Sequence, residues 1–293
     1  MKLSALISLF IKAALAIALT IFSTAVLFGQ ETAEKAGKAE AKAKYKEFCS
    51  NNNSWNGSDR VSFNEMREMT LPATGNLSVD GGRNGGIRVK GENRGDVLVR
   101  ACVQTWGTTD AEAKSLASSV RIGTSPQIKA EGASEEGWSV SYEILAPRNT
   151  DLKLTAHNGG ISIGSVDGRL EFETTNGGVS LNDVGGDVKG KTTNGGVNVS
   201  LTGNAWRGSG LDVQTSNGGV NLSIPDNYAA NIETGTVNGG FHSDIASLSV
   251  EKDERNRPRA TKLNAALNGG GAPIRVVTTN GGIHISSAER STN

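Results

Sequence analysis

The sequence predicts an all-β chain built as a parallel β-solenoid, with one short inserted helix near residues 110–120. Three observations carry that prediction. Thr-Thr-Asn-Gly-Gly occurs three times, at 174–178, 192–196 and 278–282. Around six of the Asn-Gly-Gly turns, apolar residues or threonine recur at every second position almost without exception, which is the strand period. The chain has 38 glycines and only 5% aromatic residues, which suits a thin core of small and β-branched side chains. A hairpin-built sandwich or barrel is the alternative, because Asn-Gly between alternating strands is also a hairpin signal.

Taken in order, the chain opens with Lys2 and Lys12 ahead of an apolar stretch from Ala13 to Gly29. That layout is expected of a signal peptide over 1–29, or of the same segment kept as an N-terminal anchor. Residues 30–60 form a linker, first rich in Ala, Lys and Glu and helix-favouring, then polar. From 61 to 150 short alternating runs mark the N-terminal part of the solenoid, such as Leu77 with Val79 and Ile87 with Val89. Thr109-Asp110 ahead of AEAKSLASSV interrupts them as a capped helix. This section is expected to cap the stack. Residues 151–288 hold the regular repeats, and 289–293 form a tail.

Within the repeats, the corner asparagines are Asn158, Asn176, Asn194, Asn217, Asn238 and Asn280. Asn268 falls inside an insertion between the last two. Six residues before each corner stand Leu152, Leu170, Val188, Leu211, Ile232 and Ile274. Three after stand Ile161, Val179, Val197, Val220, Phe241 and Ile283. Apolar columns alternating with polar ones mean one buried face and one wet face. Consecutive coils are expected to stack at about 4.8 Å, like residue over like. Threonines then form one ladder and asparagines another, each Asn amide bonding to the next. The glycines are expected to supply positive φ at the corners.

The segments TTNGGVSL (174–181), TTNGGVNV (192–199), TSNGGVNL (215–222) and TTNGGIHI (278–285) carry a resemblance. With the pairs Gly81-Gly82 and Gly185-Gly186, they resemble a bacterial family of exported β-solenoid domains with a provisional adhesin label and no known biochemical function. The likeness covers roughly 70–285. It implies export or surface exposure and a repetitive β fold. It offers no catalytic residue to carry over.

Composition narrows the function. Formal net charge is zero, which argues against a nucleic-acid partner. The two cysteines, Cys49 and Cys102, are expected to form a disulfide in an exported chain. His157, His242 and His284 all fall on the solvent-facing parity. At most two of them meet, with no fixed acid partner, so no metal site or cofactor is expected. Glu171 and Glu173 point outward, but one coil later the equivalent positions are Asp187 and Lys189, and then Gly210 and Asp212. No column of acids suited to general acid and base work emerges, and no catalytic residue is assigned. Trp206 and Arg207 lie in an expanded coil, as a candidate partner contact on a loop or as an indole folded over the coil edge.

The expected protein is therefore exported to the periplasm, cell surface or exterior. Its expected role is non-catalytic, structural or adhesin-like, toward an envelope or extracellular protein or polysaccharide. It touches membrane only through an uncleaved N-terminal segment. The alternatives are a carbohydrate-active β-helix enzyme and a membrane-anchored envelope scaffold or sensor module.

Overall fold

The computed structural model describes residues 48–49, 60–134, 136–249 and 262–288. The expected export segment, nearly all of the linker and the tail lie outside the described residues. The chain divides into two units, Met1–Ser50 and Asn51–Asn293. Only Phe48 and Cys49 of the first are described, and the fold below is that of the second. Among the described residues no helix is long and apolar enough to cross a membrane. Cys49 and Cys102 are both disulfide-bonded, as the even count leads one to expect.

The first strands are β1 (Val61–Pro72), β2 (Asn76–Asp80), β3 (Ile87–Glu92) and β4 (Asp96–Gly107). Helix α1 (Asp110–Ser119) follows, then β5 (Arg121–Gly123), β6 (Ile128–Glu131) and β7 (Trp138–Pro147). The helix begins where the sequence places it. The Thr109 hydroxyl accepts from the Glu112 N–H, and the Glu112 carboxylate reaches back to the Thr108 N–H at 2.7 Å, which satisfies two free donors at the helix start. At its other end the Arg67 guanidinium donates to the carbonyls of Ala117 and Val120.

The repeats supply β8 (Asp151–Ala156), β9 (Ile161–Gly164), β10 (Asp167–Thr174), β11 (Val179–Asn182), β12 (Gly185–Asn194) and β13 (Val197–Ser200). They continue with β14 (Gly210–Asn217), β15 (Val220–Ile224), β16 (Ala230–Asn238), β17 (Phe241–Ser243), β18 (Lys262–Leu267), β19 (Pro273–Asn280) and β20 (Ile283–Ser287). The described strands fall into two ten-stranded sheets. Sheet A runs β1-β4-β7-β3-β9-β11-β13-β15-β20-β17, and sheet B runs β18-β16-β19-β14-β12-β10-β8-β2-β6-β5. The two strands flanking each corner Asn-Gly-Gly lie in different sheets, so each such turn is a corner between sheets and not a hairpin, whereas the Asn268 turn joins β18 to β19 within sheet B.

Among the described residues of this unit the fold is all-β with one short α-helix, but the sheets are mixed rather than wholly parallel. Equivalent strands of the repeats pair in parallel and in register: Leu152 faces Leu170, which faces Val188, which faces Leu211. Antiparallel pairs occupy the ends, with β1 on β4, β4 on β7, β5 on β6 and β16 on β18. The inward columns fill the space between the sheets. Leu170, Leu181, Leu222 and Ile232 are all fully buried there.

Two expectations about the stack are corrected. Coil order follows chain order from the Asn158 coil to the Asn217 coil and then departs from it. β19 lies between β14 and β16, and β20 between β15 and β17. The Asn280 coil is thus sandwiched between the Asn217 and Asn238 coils. At the other end β2 and β3 are likewise enclosed, between β8 with β9 and β6 with β7. The first and last coils in sequence are both interior in space.

The second correction concerns glycine. The corner glycines from Gly159 to Gly282 are absent from the positive-φ set; that conformation appears at the Asn268 turn, in Gly269 and Gly270. What the corners require is proximity. A Cβ on Gly177 would lie 2.1 Å from the Gly159 carbonyl oxygen, and one on Gly195 would lie 2.1 Å from that of Gly177. Backbone meets backbone at each corner, and only a residue without a side chain fits.

That contact explains the repeated threonine. The Thr174 hydroxyl donates to the Gly159 carbonyl at 2.8 Å, Thr192 to Gly177 at 2.7 Å and Thr215 to Gly195 at 2.7 Å. The same bond recurs from Thr278 to Gly218 and from Thr236 to Gly281. Each buried hydroxyl ties its coil to the neighbouring corner. Outside them runs one unbroken asparagine ladder. Asn158 donates to Asn84, Asn176 to Asn158, Asn194 to Asn176, Asn217 to Asn194, Asn280 to Asn217 and Asn238 to Asn280, each at 2.7–2.8 Å.

Candidate functional site: the outer face of sheet B

Outward side chains of sheet B form three columns across its strands. In the middle column Lys153 faces Glu171, Glu171 faces Lys189, Lys189 faces Asp212, Asp212 faces Arg275 and Arg275 faces Glu233. Charge alternates in sign at every step. Arg275 holds Asp212 at 2.6 Å and Glu233 at 3.2 Å. Burial works against the Arg275 charge, but its bonds to Asp212 and Glu233 outweigh that and hold its pKa above the ordinary arginine value. Beside this column, Lys191 pairs with Glu173 at 3.0 Å and Lys189 with Asp187 at 3.3 Å. Opposite charges across neighbouring strands stabilise a sheet modestly, and like charges destabilise it.

Chain order alone would set Asp212 beside Glu233. Inserting the Asn280 coil places Arg275 between them, so the exchanged coil order and the alternation are one fact. The equivalents expected for Glu171 and Glu173, namely Asp187 and Lys189, are corrected by one step of register: Glu171 faces Lys189 and Glu173 faces Lys191. The available signal was the column five residues before each corner, which in chain order reads Lys153, Glu171, Lys189, Asp212, Glu233 and Arg275. Its alternation breaks only between Asp212 and Glu233.

A depression of 630 Å³ lies where Asp151, Lys153, Arg169 and Glu171 meet Thr124, Ser125 and Pro126, and two smaller ones lie further along this face. One, of 420 Å³, is lined by Lys153, Glu171, Glu173, Lys189 and Lys191 with Phe172 and Gly190 in its floor. Gly190 interrupts an otherwise apolar inward column because the Phe172 ring fills its place. A Cβ there would lie 2.0 Å from the ring. The other, of 360 Å³, lies beside Arg275 and Val277 and includes the exposed Val237.

The remaining candidates are placed elsewhere. The Trp206 indole is buried, 8% exposed, and donates from Nε1 to the Gly186 carbonyl at 3.0 Å. Arg207 is engaged by Asp167 at 3.0 Å and Asp183 at 3.1 Å. The expanded coil therefore folds its indole over the stack, the second of the two readings of Trp206. Asp183 also accepts from Ser165 and Thr202. Burial pushes its pKa up, but these bonds and Arg207 prevail and hold it below the usual carboxylate value.

His242 and His284 stand opposite each other on β17 and β20, with rings stacked at 5.1 Å. They do have an acid neighbour, contrary to expectation. Asp244 lies 2.9 Å from His242 and 3.8 Å from His284, brought in by the turn after β17. Among the described residues no group of three or more His, Cys, Asp or Glu is arranged to hold a metal ion.

The family model Toastrack DUF4097 matches residues 51–286. The chain belongs to that family. Among curated proteins none is similar to it in sequence. Solved structures to which it shows similarity include a "putative cell adhesion protein" from Clostridium sporogenes, at TM-score 0.41 and 10% identity over 77% of this chain and 100% of that one. A "putative adhesin" from Bacteroides fragilis has TM-score 0.33 and 9% identity over 77% and 97%. A "putative lipid binding protein" from Parabacteroides distasonis has TM-score 0.32 and 11% identity over 80% and 98%. These likenesses are too distant to carry a role to this Toastrack chain.

Proposed function

We propose that the chain is an exported, non-catalytic binding protein with an adhesin-like role at the cell envelope or outside the cell, and that the outer face of sheet B is its contact surface. The observation that supports this is the alternating ladder from Lys153 to Glu233. A stack tied together by threonine and asparagine ladders holds these charges at fixed spacing. Many weak contacts at fixed spacing add up where one pocket would not. Each ladder carboxylate from Glu171 to Asp212 is flanked by two cations, an arrangement that suits contact more than proton transfer. The disulfide supports an oxidising compartment.

The test is retention of the purified chain by isolated envelope material and by a panel of polysaccharides, with depolymerisation followed in parallel. Retention is expected, weakened by salt and by Lys153→Glu, with no cleavage. Polysaccharide cleavage that Glu171→Gln abolishes would overturn the non-catalytic assignment.

A further inference from the structure

The ladder has an even number of members, and this makes it self-complementary. Consider a two-fold axis lying along the strand direction, between Lys189 and Asp212, in the plane separating two facing copies of sheet B. The first member then meets the last, the second meets the fifth and the third meets the fourth. Lys153 faces Glu233 of a second copy, Glu171 faces Arg275 and Lys189 faces Asp212, by the register of the strands. Every pair is opposite in charge, and the axis repeats each pair.

Near the axis the flanking columns set charged residues against neutral ones. Lys191 meets Gln214 and Asp187 meets Gly210, each pair coming from β12 and β14. At the two ends Asp80 of β2 meets Lys262 of β18, again opposite in sign. No like charges are opposed in any of the three columns. A surface that complements itself under two-fold rotation is the requirement of an isologous interface.

We infer that the outer face of sheet B docks a second copy of this chain, face to face about this axis. The inference rests on the adhesin-like assignment and names the partner: the contact is homophilic. Eight strands at about 4.8 Å and three outward residues per strand make a patch on the order of 600 Å² per copy. The total, roughly 1,200 Å², is at the lower limit for specific interfaces. Exposed ion pairs add little affinity but fix register and exclude wrong partners. The association is therefore weak between free molecules and effective where copies are arrayed densely. Sheet twist makes the match tightest beside the axis, which singles out Lys189 and Asp212.

The experiment is sedimentation of the full chain with the single variants Lys189→Glu and Asp212→Lys. Wild type is expected to self-associate in a salt-sensitive way. Each variant alone opposes like charges twice across the axis and is expected to associate at least about tenfold more weakly. Mixed in equal amounts, the two variants restore opposite charges at both central contacts, and association is expected to return. Any destabilisation within one chain persists in the mixture, so recovery reports the contact between copies. A wild type that stays monomeric to roughly millimolar concentration would overturn the inference. So would variants that associate like wild type, or a mixture that does not recover. A monomeric chain that still binds envelope material would refute the second copy and leave the adhesin-like role standing.

Discussion

Thr192→Val isolates the bond that links neighbouring coils. Thr192 is 2% exposed, and its hydroxyl donates to the Gly177 carbonyl at 2.7 Å. Valine keeps the shape and the β-branch, so the strand propensity is retained. The lost bond leaves a buried carbonyl without this donor, costing about 1–3 kcal/mol. The methyl that replaces the hydroxyl returns up to about 0.8 kcal/mol. The net loss is about 1–2 kcal/mol, or a fall in Tm of roughly 2–8 °C for a domain of this size. Thr193→Val is the control, because Thr193 is exposed and its change is expected to stay within about 0.5 kcal/mol. Thermal and urea unfolding of both variants beside wild type measure the difference. Equal stability of Thr192→Val and wild type, or an equal loss in both variants, would refute the role given to the first threonine of the repeat.

Four further outcomes follow from the same geometry. Gly195→Ala forces a methyl to within 2.1 Å of the Gly177 oxygen and is expected to cost about 1–3 kcal/mol or more in urea unfolding, whereas Gly196→Ala, whose nearest neighbour is 3.4 Å away, is expected to cost much less. Gly190→Val collides with the Phe172 ring, and a double-mutant cycle with Phe172→Leu is expected to show a coupling of about 0.5–3 kcal/mol, because the smaller side chain frees the space. Arg275→Glu leaves three acids adjacent at Asp212, 275 and Glu233, so the variant is expected to unfold at lower temperature and to recover part of the loss in high salt. Asp183 has its folded pKa depressed, so its contribution is present above the ordinary carboxylate range and is lost as pH falls through the folded value; Asp183→Asn is expected to be less stable than wild type at neutral pH, with the two acid-unfolding curves converging at low pH.

The inward columns were legible because a half-buried strand repeats every two residues, and Leu170, Val188 and Leu211 announce their phase without help. The corner asparagines were legible from their recurrence, and the α1 cap from Thr109-Asp110 ahead of a helix-favouring run. The reason for the corner glycines was not. Both positive φ and a close backbone approach call for glycine, and only coordinates show that the Gly159 oxygen leaves no room for a Cβ on Gly177. Trp206 was ambiguous for a related reason. An indole beside an arginine in an expanded coil suits a protruding loop and a folded-down one equally, until the Gly186 carbonyl is found at its Nε1. The Asp244 carboxylate beside the stacked histidines depends on a turn with no repeat to predict it.

Local periodicity alone determined which residues face inward and where each coil turns, since both are properties of one coil and its immediate neighbour, whereas the bond that calls for threonine before asparagine is a contact between coils. The order of the coils was decided by the tertiary structure. Coils with the same inward pattern are interchangeable as far as burial is concerned, so apolar periodicity cannot rank them. The outward charges break that equivalence, because Arg275 is accommodated best between Asp212 and Glu233, and that neighbour relation spans 42 and 63 residues of chain.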